Sequence, residues 1–257
     1  MRLATFNLLH GRSLSDGTVH ADRVIDAVAD LDADVLGLQE VDRAQPRSGL
    51  LDLTAIAAQA LNAPGHRFAA AVVGTPGEAW RPWRSDADND HPLYGIALVS
   101  RLPVLRWQIT KLPPAPIRSP VYVPKAGVLL LKDEPRVLLA AVVETPHGPM
   151  TVATTHLSFV PGWNVRQLRA VVRALAGLPA PRVLLGDLNL PGGLARAFTG
   201  WRSLARAPTY PSPAPKAQLD HILADPRGLA ALGRVVRVHT PHAKISDHRP
   251  LVVELSR

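Results

Sequence analysis

Residues able to carry acid–base or metal chemistry recur in this sequence at the borders of short apolar segments. The set is Asn7, Glu40, His156, Asp187, Asn189, Asp220, Asp247 and His248. Each alone has an ordinary structural explanation, because an acid after a strand is commonly a turn former and a lone histidine commonly has a structural role. Acidic and amide side chains are rarely buried unless they are paired or bind a metal, so their repetition at such borders indicates one shared site.

The chemistry of this set favours a divalent cation and a phosphate ester. Several carboxylates placed together repel each other unless a cation or a protonated histidine lies among them. Carboxylate and amide oxygens without sulfur suit a hard cation, so we predict Mg²⁺ as the cofactor, with Mn²⁺ as a substitute. His156 and His248 add groups that exchange protons or stabilise phosphate near neutral pH. Together these donors predict a phosphate-ester substrate.

The elements that must position these residues are mainly strands. Apolar segments of strand length lie at residues 35–38, 96–99, 127–131, 137–143, 150–153, 183–185 and 251–255. Three segments have helical spacing instead, with apolar residues at Val24, Val28 and Leu31, at Leu50, Leu53, Ala57 and Ala60, and at Val165, Leu168, Val172 and Leu175. Asn164 is the predicted N-cap of the third helix. We predict a single α/β domain over residues 1–257, with two sheets covered by outer helices.

Composition limits the possible partners. Lys and Arg number 29 against 21 Asp and Glu, a net charge of +8, but the basic residues form no block. This excess is either a habit of composition or a long-range attraction for phosphate-bearing substrates. The absence of cysteine excludes disulfides and thiolate metal sites. No apolar run approaches the ~18 residues that cross a bilayer. We therefore expect a cytoplasmic monomer, without stable membrane insertion and without an evident protein partner.

The ordered motifs resemble those of the endonuclease/exonuclease/phosphatase superfamily, which has the deoxyribonuclease-I-like fold. They are Phe6-Asn7, Leu38-Gln39-Glu40, Tyr94-Gly95 through Ser100-Arg101, Thr155-His156-Leu157, Gly186-Asp187-Leu188-Asn189, Leu219-Asp220-His221 and Ser246-Asp247-His248. Because they extend over nearly the whole chain in the family's order, the resemblance is specific. It implies a four-layer α/β/β/α sandwich of two packed, mostly antiparallel sheets, with the site at one end.

The resemblance also implies roles for the metal-binding residues. Glu40 matches the family's main Mg²⁺ ligand. Asn7 and Asp247 match residues that lie beside the metal and bind it directly or through water.

A second group of residues matches the family's catalytic positions. Asp187 resembles the residue that orients or deprotonates the attacking water, and Asn189 the amide that holds a phosphate oxygen. His248 resembles the histidine that stabilises the scissile phosphate, and Asp220 the carboxylate that fixes its ring. His156 matches a second phosphate-facing histidine that assists the leaving group.

The substrate is less defined by the sequence. Thr155-His156-Leu157 is typical of the branch with sphingomyelinase-like, inositol-phosphatase-like and uncharacterised hydrolases, whereas members that cut abasic DNA carry an Asn-rich segment there. We therefore favour a small-molecule or lipid phosphoester, with a Mg²⁺-dependent endo- or exonuclease as the alternative. A non-catalytic nucleic-acid-binding member of the fold is a minor alternative. Nucleic acid stays a possible partner.

Four residues are candidates for substrate contact. Arg81 and Trp83 belong to a predicted loop, Trp80-Arg81-Pro82-Trp83-Arg84, which either stacks on bases and grips phosphates or buries its tryptophans. Trp163 ends the apolar segment 159–163, which either admits a hydrophobic leaving group or is a hydrophobic staple for the next helix. His10 either reaches the site or packs in a turn.

Overall fold

The computed structural model describes residues 1–123 and 127–256. The strands are β1 (Arg2–Asn7), β2 (Val35–Arg43), β3 (Gly65–Gly74), β4 (Trp80–Pro82), β5 (Leu93–Ser100), β6 (Val104–Leu112), β7 (Arg118–Val123), β8 (Gly127–Lys132), β9 (Arg136–Thr145), β10 (Gly148–His156), β11 (Arg182–Asp187), β12 (Arg202–Ser203), β13 (Asp220–Ala224), β14 (Val235–His239) and β15 (Leu251–Leu255). The α-helices are α1 (Ala21–Ala29), α2 (Leu53–Ala60), α3 (Trp163–Leu175) and α4 (Leu194–Thr199).

The strands form two large mixed sheets. The first has the order β14-β15-β1-β2-β5-β3-β4, and the second has the order β12-β13-β11-β10-β9-β6. Each contains one parallel pair, β1 with β2 and β10 with β11, while the other neighbours are antiparallel. Strands β7 and β8 pair separately. The predicted two-sheet α/β architecture is therefore confirmed.

The core between the sheets follows the two-residue period of the strands. Alternate residues of both sheets meet there and are buried, among them Leu3, Val35, Ile96, Leu98, Val137, Leu139, Val152, Val183, Leu185, Ile222 and Val253. Fully burying one such side chain stabilises the fold by about 1.5–3 kcal/mol. The sheets come closest at Gly37, where a Cβ atom would lie 2.7 Å from Thr154 Oγ1. A side chain at this position would therefore push the layers apart.

The helices cover the outer faces of the sheets. In the first sheet, the intervening residues Ala4, Phe6 and Leu36 pack against α1 and α2. In the second sheet, the outward residues pack against α3 and α4, as Leu138, Ala153, Leu184, Leu188 and Leu223 do. Helix α1 presents Val24, Ala27 and Val28 to its sheet, the i, i+3, i+4 spacing of one helical face. None of the helices in the described ranges is long and apolar enough to span a membrane.

The structure corrects three local expectations. Helix α3 begins at Trp163 after Gly162, so Asn164 lies within its first turn and is not the N-cap. Leu50 lies outside α2, which begins after Asp52, and is exposed. Residues 80–82 of the expected loop form β4, which pairs with β3 at the edge of the first sheet. The partner strand is the preceding one, so β4 closes a hairpin, but its three residues are too few for an alternating pattern to show in the sequence.

Candidate active site

The strand period directs four of the predicted residues toward the space between the sheets. Asn7 continues the inward series of Leu3 and Thr5, just as Asp187 continues that of Val183 and Leu185. His156 stands opposite Asp187 in the parallel pair β10–β11, and Asp220 stands opposite Asp187 in the antiparallel pair β11–β13. Asn7, His156, Asp187 and Asp220 are all buried. The two-residue alternation of the strands therefore places these four side chains together at one end of the sandwich.

Glu40 reaches the same place through a break in the alternation. Leu36 and Leu38 of β2 face outward, so an uninterrupted strand would also turn Glu40 outward. Instead, Glu40 has a left-handed φ of 52°, and the pairing of β2 with β5 shifts register between Leu38 and Val41. Its Oε1 accepts a 3.0 Å hydrogen bond from Asn7 Nδ2. A left-handed conformation away from glycine costs about 1–3 kcal/mol, and such bulges are common beside active sites.

One oxygen of Asp187 is the centre of the site. Asn7 Nδ2 donates to Asp187 Oδ2 at 3.1 Å. The Nε2 atoms of His156 and His248 lie 3.6 and 3.7 Å from the same oxygen. Burial and the charge of Asp220 raise the pKa of Asp187 to about 6, although His248, Asn7 and the Asn189 N–H oppose the rise. A carboxyl with this pKa can act as a general base near neutral pH.

The backbone at Asp187 is set by the glycine before it. Gly186 has a φ of 148°, and a Cβ atom there would collide with the carbonyl oxygen of Thr155 on the neighbouring strand. The β10–β11 pairing that brings His156 opposite Asp187 therefore needs glycine at position 186.

His248 and Asp220 form a buried ion pair. His248 Nδ1 lies 2.8 Å from Asp220 Oδ2, and the Tyr210 ring packs against the imidazole with 4.9 Å between ring centres. Burial lowers the pKa of His248, but the charge of Asp220 and its hydrogen bond outweigh this effect, with smaller contributions from Asp187 and Asp247, and raise it to about 10. His248 is therefore an imidazolium at neutral pH, and its Nε2–H is directed to the side of Asp187.

A loop with two local hydrogen bonds fixes His248 beside β1. Ser246 has a φ of 70°, its hydroxyl donates to the Asn7 carbonyl at 2.6 Å, and the same hydroxyl oxygen accepts from the His248 N–H at 3.0 Å. Asp247, between them, is half-buried and its charge contributes to the raised pKa of Glu40.

Asn189 connects the site to helix α3. Its backbone N–H donates to Asp187 Oδ1 at 3.0 Å, and its Nδ2 donates to the Leu157 carbonyl at 2.9 Å and lies 3.3 Å from His156 Nε2. The buried Asn164 side chain donates from α3 to the Asn189 carbonyl at 2.9 Å. An amide nitrogen has two hydrogens, so Asn189 keeps donor capacity beyond its bond to Leu157.

The carboxylates have the properties of a cation site. Loss of water raises the pKa of Glu40 to about 7, and the charges of Asp247 and Asp187 add to this rise, whereas Asn7 and His248 oppose it. The oxygens of Glu40, Asn7 and Asp247 are donors that suit a hard divalent cation, whose charge would relieve this repulsion. Among the described residues, Asp187, Asp220 and His248 also form a buried cluster with ligand atoms within 4.8 Å. There the His248 imidazolium already supplies the positive charge.

The four candidate substrate residues lie in other contacts. Arg81 forms a 2.6 Å ion pair with Asp88, and the Trp83 ring lies 4.7 Å from Lys111 Nζ. Trp163 Nε1 donates to the Pro113 carbonyl, and its ring lies under the guanidinium of Arg166. His10 has a left-handed φ of 48°, and burial together with Arg47 and Arg12 lowers its pKa to about 4. The structure does not bring these four into hydrogen-bond contact with the central residues, and their substrate roles stay predictions.

Two residues of the site were missed from the sequence. Tyr210 lies in a Pro-rich segment and gives no strand or helix signal, yet its ring covers His248. Arg136 is buried, and its Nη1 atom lies 3.2 Å from His156 Nδ1. The one available signal was an arginine at the start of an apolar strand, but arginine is common in this chain. Such contacts between strands are set by register, which the sequence does not display.

Comparison with known proteins gives a family match over most of the chain. A model described as the Endonuclease/Exonuclease/phosphatase family matches residues 4–248. No curated protein matches the sequence significantly.

Solved structures of similar fold cover nearly the whole chain. An endonuclease/exonuclease/phosphatase from Beutenbergia cavernae is 24% identical, with a TM-score of 0.71 over 98% of this chain and 70% of that one. A mannosyl-6-phosphatase from Bacteroides thetaiotaomicron is 19% identical, with a TM-score of 0.66 over 100% of both chains. TDP2 from D. rerio, solved with a single-strand DNA product, is 16% identical, with a TM-score of 0.60 over 98% of this chain and 97% of that one. At these identities the likeness shows the fold.

Proposed function

Since the chain belongs to the endonuclease/exonuclease/phosphatase family, it is a hydrolase of phosphoester bonds, and we propose that its substrate is a compact phosphomonoester or phosphodiester. One observation carries this choice of substrate. The segment that the sequence suggested for base stacking and phosphate contact is engaged within the chain, because Arg81 pairs with Asp88 and Lys111 lies against Trp83. The relatives of this fold include both a mannosyl-6-phosphatase and a DNA-bound protein, so the fold alone does not select the substrate.

The contacts support the following division of roles. Asp187 orients the attacking water and accepts its proton, because its carboxyl is buried, central and has a pKa raised to about 6. The His248 imidazolium, held by Asp220, opposes the charge that develops on the phosphate oxygens in the transition state. One hydrogen of the Asn189 side-chain amide bonds the Leu157 carbonyl, and the other donates to a phosphate oxygen.

We propose that Glu40, Asn7 and Asp247 hold a divalent cation, Mg²⁺ or Mn²⁺. The donor set is oxygen-only, and the raised pKa of Glu40 reflects first its burial and then repulsion from Asp247 and Asp187, both of which a cation would offset. When bound, such a cation polarises a phosphate oxygen and offsets negative charge during the reaction. Asn7 also orients the carboxylates of Glu40 and Asp187, since its amide donates to both.

Removing the metal is expected to abolish turnover. EDTA should inactivate the enzyme, and added Mg²⁺ or Mn²⁺ should restore it. Glu40→Gln keeps the size of the side chain and removes its charge, so calorimetry should show Mn²⁺ affinity reduced by at least ~10-fold, the lower end of the losses seen when metal sites are perturbed. Circular dichroism should show an intact fold. Glu78→Gln, at an exposed position, is the control. Full activity in EDTA would contradict the metal assignment.

The choice of substrate is expected to show in the salt dependence. A ligand with one or two phosphates should lose about tenfold or less in affinity between about 50 and 200 mM salt, whereas six to ten phosphate contacts would lose about 10³- to 10⁵-fold. We expect bis-p-nitrophenyl phosphate, sugar phosphates or inositol phosphates to be turned over with a shallow salt slope, and plasmid DNA poorly.

The panel should also include RNA and a sphingomyelin vesicle. Efficient plasmid nicking at about 150 mM salt, near physiological ionic strength, together with no turnover of any compact ester, would favour the nuclease instead.

A further inference from the structure

Arg136 stands directly behind one histidine of the site. It begins β9, is buried, and its Nη1 atom lies 3.2 Å from His156 Nδ1. Its Nη2 atom lies 3.8 Å from carboxylate oxygens of Asp133 and Glu134, which balance its charge. The guanidinium therefore faces the imidazole on the side away from Asp187.

This contact determines which nitrogen of the ring carries the proton. A guanidinium has N–H donors and no acceptor, so Arg136 can bond His156 only if Nδ1 offers its lone pair. In a neutral imidazole the other nitrogen then carries the hydrogen. His156 is accordingly a neutral ring whose Nε2–H faces Asp187 Oδ2 at 3.6 Å.

Asn189 favours the opposite tautomer of His156, but its effect is weaker than that of Arg136. Its Nδ2 lies 3.3 Å from His156 Nε2 and would favour an unprotonated Nε2. One of its hydrogens donates to the Leu157 carbonyl at 2.9 Å, and the other, which remains for Nε2, belongs to a neutral donor. Hydrogen bonds from a charged donor are about twice as strong as those between neutral groups, so the Arg136 contact decides the tautomer.

The charges around His156 also favour the neutral form of its ring. The groups that face it are Arg136 from β9, His248 from the loop before β15, and Asp187 from β11. Burial, followed by Arg136 and then His248, lowers the pKa of His156 well below its ordinary value. The two histidines of the site therefore differ in charge, since Asp220 stabilises the imidazolium of His248, whereas Nδ1 of His156 faces the Arg136 guanidinium.

We propose that Arg136 is a positioning residue that holds His156 as the neutral Nε2–H tautomer, so that His156 donates a hydrogen bond to a phosphate oxygen and does not protonate the leaving group. The inference rests on the proposed function for its phosphate partner, while the tautomer itself is a property of the free protein. It replaces the sequence-based expectation that His156 assists the leaving group.

Nitrogen-15 spectra of the histidine rings test the tautomer without metal or substrate. The His156 signals are assigned by their loss in His156→Ala. From about pH 5.5 to about pH 8, which spans the ordinary histidine pKa, they should keep the pattern of a neutral ring protonated at Nε2. An Nδ1–H pattern, or protonation near or above about pH 6.5, would overturn the proposal.

Variants of Arg136 test its part in this arrangement. Arg136→Met keeps the apolar stem and removes the donor and the charge, so the pKa of His156 should rise relative to the wild type, although burial still lowers it, and the ring should populate both tautomers. Lys111→Met removes a positive charge from the adjacent strand β6 and should leave the His156 signals unchanged. If Arg136→Met does not fold, Arg136→Gln replaces it, because glutamine also removes the charge and is polar enough for the buried position. Unchanged His156 signals in whichever Arg136 variant folds would contradict the role of Arg136.

Leaving-group dependence tests the role of His156. Loss of a hydrogen-bond donor should slow p-nitrophenyl and alkyl phosphate esters similarly, within about threefold, in His156→Ala. Loss of a proton donor would instead slow the alkyl ester far more, and that result would overturn the proposal. If neither ester is a substrate, the proposed function fails while the spectra still decide the tautomer.

Discussion

Asp187→Asn is expected to lower kcat by at least ~10²-fold, the loss that accompanies removal of a general base. Asparagine has the same shape and keeps the oxygen that accepts from the Asn189 N–H, but it cannot take a proton from water. The effect is large because Asp187 contacts Asn7 and also faces the Nε2 atoms of both histidines. Steady-state kinetics on a compact phosphoester under saturating Mg²⁺ measures this loss.

The same variant should change the pH dependence of stability. Burial raises the pKa of Asp187 above its unfolded value, so ionising this carboxyl in the folded protein costs stability as the pH rises through and above the ordinary range. A neutral amide avoids that cost, although its Nδ2 replaces the oxygen that accepts from Asn7, so the Tm of Asp187→Asn relative to that of the wild type should increase as the pH rises from about 4 to about 8. Asp32→Asn, an exposed acid paired with Arg2 and Arg101, is the matched control with normal activity. A variant of Asp187 that keeps near-normal kcat would exclude it as the base.

His248→Ala and Asp220→Asn are each expected to lower kcat by at least ~10²-fold. His248→Ala removes the charged donor itself. Asp220→Asn removes the carboxylate that raises the pKa of His248 to about 10 and orients its ring through the 2.8 Å contact, so the ring loses both charge and position. Kinetics of the two single variants and the double variant measure whether the residues act together.

The double variant should be no more than about threefold worse than the poorer single variant, because residues that act as one unit have non-additive effects. Multiplied losses would show that His248 and Asp220 act independently. His147→Ala, at an exposed position in the β9–β10 turn, is the matched control and should keep normal activity.

Strand alternation explains why much of the site could be predicted. Asn7, His156, Asp187 and Asp220 stand at strand ends, and the apolar residues before or after them already mark which side is buried. Because the side-chain period is two, the inward series of each strand points its polar end residue at the same space. The two-sheet fold follows from the same patterns.

Contacts that depend on how the strands pair could not be predicted from these sequence patterns. Glu40 lies on the inner side only because of a left-handed residue and a shifted pairing with β5. Arg136 contacts His156 because β9 and β10 are adjacent, and Tyr210 covers His248 across a long separation in sequence. Arg81 and Trp83 were candidates for substrate contact, yet β4 pairs at the sheet edge and leaves them with Asp88 and Lys111.

The sequence by itself determined the two sheets, the outer helices and the residues that we propose for the chemistry. These features follow from local periodicity and from the cost of burying unpaired polar groups. Both can be read from the residue types and their order in the chain. Only the tertiary structure decided that His248 is charged and His156 neutral. Both are buried histidines at strand borders, but Asp220 bonds one ring and Arg136 the other, and the protonation of a buried imidazole depends on the charges that lie nearest to it in space.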